Sequence, residues 1–208
     1  LGSKGNYVLG KKEGDWELYH SNGNLKETGN FVRGDKNGLF VSFTELGHLE
    51  RENNFKNDKK EGLWREYKND RVVKKGYYKQ GKKEGLWETN YPIESKEYYK
   101  NDLLDGPAEY NRISCGDCIS FGTYRSGKKI GDWLEYELTW RKFYLRPPEC
   151  FVENKLRREL DYCAPIFEGP GFSKGKYEDG KREGTWMLFS SDGTLEGSAI
   201  WKKGELIK

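Results

Sequence analysis

Tyr78-Lys79-Gln80-Gly81-Lys82-Lys83-Glu84-Gly85-Leu86-Trp87 is the stretch on which the reading of this chain turns. A ring opens it and another closes it nine residues later, and the same step runs from Tyr7 to Trp16, Phe31 to Phe40, Phe55 to Trp64, Tyr99 to Ala108, Tyr124 to Trp133 and Tyr177 to Trp186. Six of the seven arrivals are aromatic. An interval that survives while the residues inside it change marks one supersecondary unit copied in series.

Inside each step lies a glycine-flanked basic segment: Gly10 to Gly14, Gly34 to Gly38, Gly81 to Gly85, Gly127 to Gly131 and Gly180 to Gly184. These five-residue segments are expected to be loops, their paired glycines supplying the positive φ of a tight reversal. A Gly-x-Trp-x-x-Tyr segment follows, then a second turn such as Ser21-Asn22-Gly23-Asn24. After it an apolar residue precedes a ring by six: Leu25/Phe31, Leu49/Phe55, Val72/Tyr78, Ile93/Tyr99, Cys118/Tyr124, Leu156/Tyr162 and Leu195/Trp201. Six is even, so in a strand both members face one side. The expectation is therefore all-β: an elongated antiparallel meander of about eight hairpin repeats in a single-sheet array, whose rings stack into one spine. It forms one domain over 5–205. The interval from ring to apolar residue is nine for Trp16 to Leu25, Phe40 to Leu49 and Trp186 to Leu195 but 23 from Trp133 to Leu156, which places an insertion at about 137–150. Trp64 and Tyr67 are an odd number apart, so either both faces carry rings or a bulge intervenes.

Composition agrees with a thin core built of rings. Hydrophobic residues make up 34% of the 208, aromatics 15% and charged residues 34%, with a formal net charge of +3. Disordered chains are not composed with 7 Trp and 14 Tyr at regular positions. No apolar run reaches the roughly 18 residues of a membrane span. The chain starts at Leu1 rather than Met and is read as trimmed of a leader, which with four cysteines points to a periplasmic, envelope-attached or secreted protein, the cytoplasm being the alternative.

The Tyr-x-x-Gly-Lys-Lys-Glu-Gly-x-Trp-x-x-Tyr pattern, as in Tyr78 to Trp87 and Gly62 to Tyr67, resembles the MORN repeat, and more narrowly its bacterial antitoxin- or immunity-type variant. The likeness covers most of 5–136 and 174–205. It implies a binding or scaffold role, possible phospholipid binding among MORN arrays included, far more than chemistry. Ala108 in the ring position, the insertion around Trp140 and the cysteine-bearing segments depart from the pattern.

Candidate sites are few. Cys115 and Cys118 flank an expected turn close enough for a local disulfide, which leads over unpaired core thiols and over a metal or redox pair. Cys150 lies at the same turn edge; if 151–162 is one strand, Cys163 stands roughly 40 Å from Cys150, too far to bond to it. Trp140, Arg141, Phe143, Tyr144 and Arg146, in the one stretch that the repeat does not explain, are the partner-binding candidates, because Trp, Tyr and Arg anchor interfaces; the alternative is that they cap the sheet. The basic row Lys11, Lys12, Lys59, Lys60, Lys82, Lys83, Lys128, Lys129, Lys181 and Arg182 could attract anionic lipid, although Glu13, Glu61, Glu84 and Glu183 offset it. No nucleophile, acid–base pair, cofactor loop or metal-ligand set emerges. The expected function is thus non-enzymatic protein binding, an immunity- or antitoxin-like inhibitor of a toxin by resemblance, with an exported structural or adhesion module and anionic-membrane binding as alternatives.

Overall fold

The structure, a computed structural model, describes residues 2–91, 93–112, 119–137, 151–152, 155–156 and 171–207. The strands are β1 (Ser3–Val8), β2 (Lys11–Tyr19), β3 (Leu25–Val32), β4 (Asp35–Phe43), β5 (Leu49–Lys56), β6 (Lys59–Lys68), β7 (Arg71–Lys79), β8 (Lys82–Asn90) and β9 (Ile93–Lys100). They continue as β10 (Leu103–Arg112), β11 (Ile119–Arg125), β12 (Lys128–Glu137), β13 (Phe151–Val152), β14 (Lys155–Leu156), β15 (Gly171–Glu178), β16 (Lys181–Ser190), β17 (Leu195–Lys202) and β18 (Glu205–Leu206). Helices are absent among the described residues. Sixteen strands share one antiparallel sheet in chain order, and β13 pairs with β14 alone. The chain divides into two compact units, Leu1–Gly106 and Pro107–Lys208.

The hairpin inside each nine-residue step reverses in two residues, both at positive φ: Leu9-Gly10, Arg33-Gly34, Asn57-Asp58, Gln80-Gly81, Ser126-Gly127 and Asp179-Gly180 among them. This turn has the twist that antiparallel strands need. The five-residue basic loop expected from sequence is therefore corrected: Lys11 onward already belongs to β2, and the second glycine marks a bulge. Between Lys4 and Asn6 the pairing jumps from Glu17 to Glu13, so Gly14, Asp15 and Trp16 lie against Gly5 alone. Gly14, Gly38, Gly62, Gly85, Gly131 and Gly184 all sit at positive φ at such a jump. A bulge takes the extra residues and turns the strand.

The Lys-Lys-Glu-Gly motif also holds the next turn. The Lys12, Lys60 and Arg182 carbonyls accept from the Gly34, Gly81 and Gly204 N–H groups. The carboxylates of Glu13, Glu61, Glu84 and Glu183 accept from the backbone N–H of Arg33, Gln80, Asn101 and Lys203, the first residue of the following turn. The motif stacks hairpins; its glutamates are not merely countercharges.

Two further expectations change. A second register shift pairs Tyr19 with Leu25, Phe43 with Leu49, Tyr67 with Val72 and Phe189 with Leu195, so the even count from apolar residue to spine ring is broken by an extra residue. Ile93 is 36% and Leu195 58% exposed. The hairpin after Trp133 is completed by β15, not by Leu156 to Tyr162: Trp133 pairs with Gly175, and Leu156 pairs with Phe151 in the separate small sheet. The inserted segment thus extends from 138 to 170. Position 160, which would pair with Trp133 in the expected register, is Leu, whereas 175, which does pair with it, is Gly.

Candidate functional site

The sheet has two chemically different faces, and the position two before each opening ring explains the first. A Cβ built on Gly5, Gly29, Gly76, Gly122 or Gly175 would come within 2.1–2.4 Å of the ring of Trp16, Phe40, Trp87, Trp133 or Trp186. The ring lies flat over the glycine because nothing else leaves room. Four indoles then donate Nε1–H to the carbonyl of the next residue, Trp16 to Asn6, Trp87 to Tyr77, Trp133 to Thr123 and Trp186 to Lys176, each at 3.2 Å. Tyr7, Phe31, Tyr78, Tyr124 and Tyr177 meet their partner rings edge-on at 4.9–5.3 Å, each pair contributing about 0.5–1.5 kcal/mol beyond its buried area.

The second cation of each basic pair covers this spine. Lys12, Lys36, Lys83 and Lys129 stand 4.3–4.6 Å from the ring of Trp16, Phe40, Trp87 and Trp133, and the Arg182 guanidinium 4.2 Å from Trp186. Cation–π attraction and the covering of apolar stems both favour this. Only the first cation of each pair, Lys11, Lys59, Lys82, Lys128 and Lys181, is exposed. In the second unit the ring face also buries a charge cluster: Glu135 bonds Lys129, Arg182 at 2.8 Å and the Tyr177 hydroxyl at 3.1 Å. Burial pushes the Glu135 carboxyl up, but Lys129 and Arg182 outweigh it and hold it below its ordinary value. Burial raises the Tyr177 phenol.

In the first unit the spine is interrupted at Trp64. Asn53 stands where five other hairpins have glycine, at Gly5, Gly29, Gly76, Gly122 and Gly175, and it pairs directly with Trp64. Among the described residues no ring contact joins Phe55 to Trp64; Trp64 instead leans on Trp87 at 5.2 Å. Its Nε1 is buried with no acceptor, the Asn53 Oδ1 has no donor, and Lys60 is 6.0 Å from the Trp64 ring. Beside this break opens a groove of about 340 Å³ lined by Phe40, Phe55 and Asn53 among others.

On the opposite face of the first unit two rows cross the strands. One is a ladder of directly paired residues, Lys4, Glu17, Thr28, Val41, Glu52, Arg65, Lys75, Glu88 and Lys96. Its charges are largely matched: Lys4 to Glu17 at 3.5 Å, Arg65 to Glu52 at 2.8 Å and Lys75 to Glu88 at 2.7 Å. Tyr67 adds its hydroxyl to Glu52 at 2.9 Å, so both faces carry rings. The Arg65 bond, ahead of opposing burial, holds Glu52 below the usual carboxylate range. The adjacent row is apolar, with Leu63 opposite Tyr77 and Leu86 opposite Tyr98, preceded by Leu39. Leu39, Tyr77 and Tyr98 are 49%, 55% and 39% exposed. In the second unit the matching pairs are Asp132 with Lys176 and Thr185 with Ile200.

Of the spine residues expected from sequence, Trp16, Phe31, Phe40, Trp64, Trp87, Trp133 and Trp186 are buried, as is Ala108. Phe55, Tyr124, Tyr177 and Trp201 are partly buried against them. Trp140, Arg141, Phe143, Tyr144, Arg146, Tyr162 and all four cysteines, hence the disulfide candidates Cys115, Cys118 and Cys150, lie outside the described residues. The glycines under the rings and the Leu39–Tyr98 row escaped sequence reading. A constant spacing of eleven from Gly5 to Trp16, Gly29 to Phe40, Gly76 to Trp87, Gly122 to Trp133 and Gly175 to Trp186 would have found the first. The residue just before each closing ring would have found most of the second.

Among the described residues no group of three or more His, Cys, Asp or Glu could hold a metal ion, and no helix is long and apolar enough to cross a membrane. The chain matches no protein-family model and no curated protein.

Proposed function

We propose that this chain is a non-enzymatic binding module that docks another protein on the outer face of its first unit. The observation that carries this reading is the row Leu39, Leu63, Tyr77, Leu86 and Tyr98, left partly exposed on a sheet whose other face holds the core. Exposed apolar residues in a contiguous row, edged by polar groups, mark interaction surfaces, and Tyr and Arg are frequent anchors there. The flanking charges are already paired within the sheet, which favours an apolar protein surface over a polyanion as the partner. Held on paired strands, the row loses little freedom on association.

The resemblance to bacterial MORN arrays narrows the reading to an immunity- or antitoxin-like inhibitor that covers a cognate toxin. Binding to anionic membrane through the lysines is the weaker reading, since the second cation of each pair is engaged with rings. The test is a stoichiometric complex that survives gel filtration. Tyr77→Ala with Leu63→Lys should dissolve it and Thr185→Lys should not; a complex indifferent to the first pair of changes would refute the outer-face assignment.

A further inference from the structure

We propose that the groove at the spine break, on the ring face of β3–β6, binds an oxyanion carried on a flat apolar group, with Arg51 and Lys60 as the anion-binding side chains. The groove does not lie on the outer face, so this inference stands apart from the docking reading.

Four cations line the groove against two carboxylates, Glu27 and Glu50. Lys36 is engaged with Glu27 at 2.5 Å, and Arg51 touches Glu50 at 3.2 Å through one guanidinium nitrogen. Lys60 has no carboxylate within salt-bridge reach among the described residues; it stands 4.8 Å from the Tyr78 ring but 6.0 Å from the Trp64 ring, farther than its counterparts stand from their closing rings. Burial and then the neighbouring Arg51 charge push the Lys60 ammonium below its ordinary value. Two like charges kept side by side at a partly desolvated site are relieved by an anion, and charge-assisted bonds to a carboxylate or phosphate are the strong kind.

The walls supply the rest of the ligand's description. Phe40 and Phe55, 5.2 Å apart, give the groove an apolar side wide enough for a ring or short chain. Asn53 also lines it, with its amide oxygen buried and without a donor. Gly5, Gly29, Gly76, Gly122 and Gly175 each lie under a ring, whereas the side chain at 53 lines the groove, so the residue that breaks the spine also borders the site.

Calorimetric titration of the intact protein with phenyl phosphate and with benzoate, at matched low ionic strength, tests this. Saturable binding of at least one is expected; which of them binds tells a phosphate from a carboxylate ligand. Arg51→Gln and Lys60→Gln should each weaken binding at least tenfold, while Lys59→Gln, on the exposed neighbouring lysine, should leave it unchanged. Asn53→Gly should abolish binding without loss of thermal stability, because the Trp64 ring can then close over the strand. Absence of saturable binding by either compound, or an equal loss in Lys59→Gln, would overturn the proposal.

Discussion

The two units use their charges differently on the same kind of sheet. In the first, the ion pairs Arg65–Glu52 and Lys75–Glu88 are part of an exposed ladder beside an apolar row, and the ring face is broken at Asn53. In the second, Glu135, Lys129 and Arg182 are enclosed on the ring face, where Trp133 and Trp186 are 1% and 0% exposed and each donates its indole N–H. The second unit spends its polar groups on its own packing. The first leaves apolar surface and cations uncovered, and both binding proposals fall there.

The largest expected effect is in the packed unit. Trp186→Ala should cost about 3–5 kcal/mol in a denaturant titration followed by circular dichroism, because a fully buried ring leaves a cavity over Gly175. A loss below about 1 kcal/mol would mean the spine is not the core. Next comes Glu135→Gln, which strands Lys129 and Arg182; the loss should be about 3 kcal/mol, against less than about 1 kcal/mol for Glu52→Gln in the exposed ladder. Because the folded-state value of Glu135 is depressed, its contribution is complete above the ordinary carboxylate value near 4.5 and is lost as pH falls through the folded-state value. Stability measured from pH 7 to pH 3 should therefore decline less steeply in the Gln variant.

Asn53→Gly should go the other way. With the floor cleared, Trp64 can donate to the Asn54 carbonyl as its counterparts do, a gain of about 1 kcal/mol. An unchanged or lower melting temperature would show that Asn53 is not what displaces the ring. The smallest effect on stability is expected from Tyr77→Ala, within about 1 kcal/mol since half of that side chain is already in water, even though the same change should dissolve a partner complex.

The repeat, its antiparallel order and its ring positions were legible because one residue type recurs at one interval. The turns were harder to locate: Gly10 and Gly14 look alike in the sequence, but one makes a hairpin turn and the other a bulge, and only strand pairing separates them. Lys12 reads as a loop charge until the bulge turns it onto the rings. The Leu156/Tyr162 spacing imitated a spine strand because it matches the interval alone, whereas the true strand is recognised by the small residue at Gly175. The outer row was invisible for a different reason. Leu63 and Tyr77 belong to different strands, and nothing in their sequence separation shows that they are neighbours.

Indole N–H exchange, read residue by residue in a nitrogen-15 correlation spectrum, tests most directly whether the ring face is continuous in one unit and interrupted in the other. The account predicts slow exchange for Trp16, Trp87, Trp133 and Trp186, and exchange at least tenfold faster for Trp64, slowed again in Asn53→Gly. A Trp64 signal as protected as the other four would contradict it.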